Sequence, residues 1–280
     1  MNESNHKRKK EGNPSGKNKD KLKKVKYWRT ASSVIHPGVS GIFATCNRNK
    51  ESQCTQELLT LFNEEAELLY DLAGDNAASD LEHSEVEIET SISKELAGLE
   101  KSKNSKLFTP VTIDCECVRF FRTKKPIEPV SFIHNICEKA MTSATKATRH
   151  TLRLSPVTLT ASANEDDLRA LAKTVLAPHF HRENQDPVKF AIRPTIRNHT
   201  TLTRDQIIQI VASEVGAPHK VDLTKYDLLI IVECFKNIIG LSIVADFEKF
   251  KRFNLQQIFE FSSNAKNDKE DGKKDNGNNK

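Results

Sequence analysis

Between residues 38 and 160 the spacing of apolar side chains switches repeatedly between the two periods that regular backbone offers. That alternation restricts the fold more than any single motif does. Gly38–Cys46 reads as a short buried strand. From about Lys50 to Leu72, Cys54, Leu58, Leu61, Phe62, Leu68, Leu69 and Leu72 recur at helical spacing along one side. Val111–Arg122 then alternates, with Val111, Ile113, Cys115 and Cys117 on one face, and is expected to be a single strand. Pro126 and Pro129 break it. Phe132, Ile133, Ile136, Cys137 and Ala140 mark a second helix, and Arg149–Ser162 alternates again around Pro156.

Strand, helix, strand, helix, strand points to a small α/β (α+β) sandwich of ferredoxin-like type with one strand unplaced. A second unit follows. Asp166–Phe180 carries Leu168, Leu171, Ala172, Val175 and Leu176 on one face. In Lys189–Arg193, Val188, Phe190 and Ile192 point one way and Lys189, Ala191 and Arg193 the other. Thr203-Arg204-Asp205-Gln206 has the form of a capping box, and the helix it opens stops at Gly216. Asp227–Phe235 and Ile238–Asp246 are β-rich runs joined at a tight turn, Lys236-Asn237. Phe247, Phe250, Phe253, Leu255, Ile258 and Phe259 form an amphipathic C-terminal segment.

Charge divides the chain further. Residues 1–30 hold 11 Lys and Arg against 3 acids, residues 64–100 hold 12 acids and 1 Lys, and residues 101–260 carry 24 basic and 17 acidic groups. The first 33 residues cannot bury a core and read as a disordered basic arm, suited to phosphate backbones, to nuclear import or simply to solubility. Residues 71–105 read as a mobile acidic insertion with a short helix near Ile92–Leu99, and residues 261–280 as a disordered polar tail. The expected domains are 34–148, ferredoxin-like with that insertion, and 149–260. The longest aliphatic run, Leu228–Val232, is far too short to span a bilayer, and the charged residues from Glu3 onward leave no apolar signal region. Six scattered cysteines read as reduced thiols of an intracellular protein.

The motifs of covalent chemistry are missing. There is no phosphate-binding glycine loop, no nucleophile elbow, no H-E-x-x-H and no kinase signature. Cys115 and Cys117 are expected to be core thiols, being two apart on a strand. His179 and His181 could form half of a metal site but have only Cys234 and His219 as distant helpers. Glu165, Asp166 and Asp167 sit where carboxylates favour a helix dipole. The chain is therefore expected not to be an enzyme, and to need no cofactor.

The order Lys189–Arg193, Arg197-Asn198, Ile207-Ile208, Val221-Asp222-Leu223, Asp227–Phe235, Ile239–Val244 resembles a THUMP domain, an RNA-binding module of tRNA-modifying enzymes. With Gly38–Cys46, Cys115-Glu116-Cys117, Arg122–Ile127, Arg149, Leu154–Thr158 and Ala177–His181, the chain from 34 to 260 resembles the eukaryotic THUMP-domain tRNA acetyltransferase adaptor family. Ala177 stands where a Gly would be expected before Pro178. The resemblance implies a ferredoxin-like domain packed against a THUMP domain with no catalytic domain. It also implies a protein of the nucleus or nucleolus, with the cytoplasm as a further compartment, that presents serine and leucine tRNAs to a separate RNA cytidine acetyltransferase. That enzyme makes N4-acetylcytidine in the D-arm. Acetyl-CoA and ATP would belong to it, with no membrane or small-molecule substrate for the adaptor. An RNA-binding subunit of another tRNA-modification enzyme, or a ribosome-assembly factor, is the alternative.

The candidate RNA contacts are basic side chains expected on the solvent side of the core. They are Arg149 and Arg153 at the domain junction, Lys189 and Arg193 on one strand face, Arg197 in the following loop, and Arg204 at a helix start. Lys236 sits on the hairpin tip, and Arg122, Lys124 and Lys125 lie in a loop of the first domain. Without a base-reading aromatic pair, tRNA shape is expected to set specificity.

Overall fold

The computed structural model describes residues 34–70, 106–143 and 145–274, with side chains through residue 265. The basic arm, the acidic insertion with its expected short helix, and residues 275–280 lie outside the described residues.

The first half runs β1 (Gly41–Cys46), α1 (Glu51–Tyr70), β2 (Phe108–Val111), β3 (Val118–Thr123), α2 (Pro129–Ser143) and β4 (Thr151–Val157). Its strands form an antiparallel sheet in the order β2-β3-β1-β4, the βαββαβ arrangement of a ferredoxin-like domain. β2 is the strand the sequence left unplaced. The alternation over Val111–Arg122 is not one strand but the end of β2, a turn, and β3. Cys117 has φ = 60°, its N–H donates to Glu51 Oε1 at 3.0 Å, and its carbonyl accepts from Cys46 N–H. The expected pair of core thiols is thereby replaced by Cys115 and Cys117 half-buried in a turn, and all six cysteines are free. On one face of this sheet Ile42, Ala44, Phe121 and Leu154 pack under α1 and α2. Phe62 at the centre meets Phe108, Phe121 and Phe132 with ring centroids 5.1, 5.4 and 5.6 Å away.

The second half contains β5 (Leu159–Ser162), α3 (Glu165–Phe180), β6 (Lys189–Arg197), α4 (Arg204–Val215), β7 (Lys220–Val221), β8 (Leu228–Phe235) and β9 (Ile238–Val244). Its sheet order is β5-β9-β8-β6-β7, with β6 parallel to β7 and β8. Asn164 caps α3, the Thr203–Gln206 box opens α4, and Gly216 at φ = 66° ends it. Both helices cover one face of this sheet, over Phe190, Ile230, Val232 and Leu241. His181 and His219 hydrogen-bond the Val215 and Phe180 carbonyls, so both are tied into loop structure.

The uncovered faces of the two sheets meet. Phe43, Phe120 and Val157 of the first pack against Phe235 of the second. The approach is close at Gly240, where a Cβ would lie 2.7 Å from Val157 Cγ1, so only glycine fits. The division between the halves falls later than residue 149, because β4 belongs to the first sheet and the second sheet begins at β5. Residues beyond Val244 also return to the first half. Phe247, Phe250, Phe253, Leu255 and Ile258 join the cluster under α2 while covering Ala191, Leu229 and Ile231 of the second sheet.

Helix α5 (Leu255–Lys274) extends well beyond the residue 261 expected to begin a disordered tail. Asn254 Oδ1 accepts from the Gln256 and Gln257 N–H groups, and Leu255 and Ile258 are buried. Once those contacts nucleate the helix, each further residue adds a backbone hydrogen bond at small cost. No helix among the described residues is long and apolar enough to cross a membrane.

Candidate nucleic-acid interface

Among the described residues, several charged side chains gather where the two inner faces part. β6 places Lys189, Ala191, Arg193, Thr195 and Arg197 on one face. That face is not the open one expected from the sequence. Ala191 is buried beneath the C-terminal segment, and Arg193 is half-buried beside it. Arg197 is the last residue of the strand rather than part of a loop. β8 runs alongside with Glu233 opposite Thr195. Across the gap β4 supplies Arg153 and Ser155, and β1 supplies Thr45. Thr45, Arg153, Ser155, Thr195, Arg197 and Glu233 line a crevice of about 40 Å³, and Arg193 lies outside its lining, near enough to act on Arg153 through its charge.

Arg153 explains what the crevice favours. Its Nε is buried without a hydrogen-bond partner. Burial first, and then the neighbouring Arg193, Arg252 and Arg197 guanidinium groups, press against its charged form, with Glu233 opposing them. An arginine does not give up its proton under such pressure, so the site holds a charged donor that an anion would satisfy. Glu233 answers from the other side. Burial pushes its carboxyl up to about 6, although the Ser155 hydroxyl, Arg197 and Arg153 pull it down.

The C-terminal segment supplies a residue that sequence reasoning missed. Arg252 Nε donates to Glu248 Oε2 at 3.0 Å, and Arg193 Nη1 lies 3.7 Å from Glu248 Oε1. Tyr226 Oη donates to the same carboxylate, and Arg193 rests over the Phe247 ring at 5.3 Å. The run Lys249, Lys251, Arg252 was the available signal, hidden within an apparently amphipathic stretch. Four guanidinium groups, on Arg153, Arg193, Arg197 and Arg252, thus face two carboxylates.

The other expected contacts are dispersed. Lys189 pairs with Asp222 at 3.3 Å. That carboxylate accepts from the Lys225 and Thr224 N–H groups, which hold it well below the usual range. Arg204 Nη1 donates to the Pro194 carbonyl at 3.0 Å, and Lys236 reaches Asp114 at 3.0 Å. Arg149 is exposed, its backbone N–H held by Glu57. Arg122 stands opposite Gly41 and Arg153 opposite Thr45, which separates them by about 13 Å along β1. Arg122 Nε is also buried without a partner, while Lys124 and Lys125 are exposed in the following loop.

Residues 162–244, essentially the second sheet with α3 and α4, match the family model of the THUMP domain. An uncharacterized protein of Schizosaccharomyces pombe, C25H2.10c, is 40% identical over 253 residues, covering 90% of this chain and 85% of its own. The tRNA acetyltransferase TAN1 of Saccharomyces cerevisiae is 35% identical over 281 residues, covering 92% and 97%. THUMP domain-containing protein 1 of Mus musculus is 31% identical over 233 residues, covering 80% and 65%.

Proposed function

Because the chain belongs to the eukaryotic THUMP-domain tRNA acetyltransferase adaptor family, we propose that it binds tRNA and presents it to a separate RNA cytidine acetyltransferase. The product is N4-acetylcytidine in the D-arm of serine and leucine tRNAs, and the compartment is the nucleus or nucleolus, with the cytoplasm as a further one. The observation that carries this reading is the arginine crevice between the sheets, where Arg153, Arg193, Arg197 and Arg252 crowd around an incompletely satisfied donor. Such a cluster recognises phosphate oxygens through charge-assisted, often bidentate hydrogen bonds. Phosphate contacts fix the register and orientation of an RNA.

The adaptor's contribution is positional. Two sheets held face to face give the arginines one fixed geometry, and a tRNA seated there brings its target cytidine to the partner's active site. Holding two reactants in register converts a bimolecular encounter into an effectively unimolecular one. Acetyl-CoA and ATP are handled by the partner enzyme. Arg149, Lys189, Arg204, Lys236, Arg122, Lys124 and Lys125, dispersed outside the crevice, are further candidate phosphate contacts.

The test replaces Arg193 and Arg197 together by Ala. Binding of a tRNA transcript is measured against salt, alongside acetylation in a mixture with purified partner, acetyl-CoA and ATP. Loss of each phosphate contact lowers the slope of log affinity against log salt by about 0.7–0.9. The double variant is expected to bind weakly with a shallower slope, to lose acetylation of that tRNA, and to keep its thermal melt. Undiminished acetylation would overturn the delivery surface. Acetylated tRNA formed by this chain without the partner would overturn the adaptor role itself.

A further inference from the structure

Phe261 is half exposed, and no other aromatic ring is among the exposed large apolar side chains of the described residues. The packing of α5 does not account for it. Leu255, Ile258 and Ser262 form the buried stripe of that helix, and Phe261 lies off it. One face of its ring is occupied by the Lys251 ammonium, 3.8 Å from the centroid. A cation so placed is attracted to the ring quadrupole and favours one orientation of the ring, while half of the side chain stays exposed.

Lys251 belongs to an unusual turn. Lys251, Arg252 and Phe253 have φ of 50°, 60° and 56°, a left-handed stretch without glycine. L-residues adopt that conformation at a cost, and such cost concentrates at functional sites. Phe250, just before the turn, and Phe253, its last residue, are both buried, with their rings stacked 6.4 Å apart. The result is that adjacent residues reach two different neighbours. Arg252 goes to Glu248 and the arginine crevice, and Lys251 goes to Phe261.

We propose that Phe261, held by Lys251, is a stacking platform for one unpaired nucleobase of an RNA whose backbone phosphate lies on the Arg252 and Arg193 side of the turn. The proposal rests on the RNA-binding reading above and adds a base contact to it. A base has a π-face whatever its identity, so the platform tolerates sequence while requiring that the nucleotide be unpaired. Phosphate charge meets the guanidinium groups and the base meets the ring, with the left-handed turn setting the distance between them.

The experiment uses the full chain with two probes of equal length, a fluorescein-labelled single-stranded RNA octamer and its fully abasic ribose-phosphate counterpart. Phe261→Ala is expected to weaken octamer binding about five- to tenfold, with the salt slope unchanged and abasic binding unaffected. Phe261→Trp is expected to restore octamer affinity, which a loss of folding would not permit. Arg252→Ala is expected to weaken both probes and to lower the salt slope by about 0.7. Octamer binding by Phe261→Ala at wild-type strength would overturn the platform and leave the RNA reading standing, as would equal loss on both probes. Failure of the wild-type chain to bind either probe or tRNA would overturn the RNA reading and the platform with it.

Discussion

Replacing Glu233 by Gln tests whether the crevice is as dry and as charged as its geometry implies. The Glu233 carboxyl is raised from an ordinary 4.5 to about 6, chiefly by burial. Between those two values the folded state holds a proton that the unfolded chain releases. Wild-type stability is therefore fully present below about pH 4.5 and falls as pH rises through about 6. Above pH 7 the folded protein bears the whole cost of an ionised Glu233, at most about 2 kcal/mol for that difference in pKa. Gln keeps the shape and some hydrogen-bonding capacity toward Ser155 and the arginines but never ionises. The variant should match the wild type near pH 4.5 and exceed it by up to about 2 kcal/mol at pH 8. For a folded unit of this size that is roughly 4–8 °C in Tm. Paired melts at pH 4.5, 6 and 8 read the difference directly. A gap that does not change with pH would refute burial as the dominant influence. A variant less stable at pH 8 would show that the attraction of Arg153 and Arg197 outweighs the loss of water.

Two predictions concern the frame that holds the crevice. Phe62→Ala removes a wholly buried ring at the meeting point of Phe108, Phe121 and Phe132; it should cost about 3–5 kcal/mol in a denaturant titration, and a loss below about 1 kcal/mol would mean that the cluster repacks. Thr203→Ala removes the hydroxyl that accepts from Gln206 N–H at 3.3 Å; it should cost about 1 kcal/mol by the same measurement while tRNA affinity stays at the wild-type value.

Local chemistry was legible in the sequence, and contacts between the sheets were not. The capping box at Thr203, the stop at Gly216 and the turn at Lys236-Asn237 all depend on a few neighbouring residues, and the structure carries each of them. β2 escaped because it is four residues long and contains Pro110. At the edge of a sheet a proline is tolerated, since no neighbour needs its missing N–H, but it weakens the strand signal. Cys115 and Cys117 misled for the opposite reason. Their alternation with Glu116 imitates a strand, while the positive φ of Cys117 depends on Glu51, 66 residues earlier in the chain. Arg193 was correctly placed on the face opposite Phe190. Nothing local showed that a segment beginning after Val244 would cover that face, or that β4 would bring Arg153 beside it.

The crevice also shows why the arginines come with carboxylates. Four guanidinium groups pressed together without counter-charge would oppose folding, and Arg153 already leaves a buried donor unmade, which costs about 1–3 kcal/mol. Glu248 offsets part of this by holding Arg193 and Arg252 at the rim. Glu233 offsets part of it inside, at the expense of its own burial. Both carboxylates would also reduce the attraction for an incoming phosphate, Glu248 while steadying the empty protein and Glu233 at a net cost to it once ionised. A phosphate oxygen that reached Arg153 would satisfy the orphaned donor and supply the missing charge together. On the proposed function, a preference of the site for RNA phosphate over solvent would then draw on strain already present in the free protein.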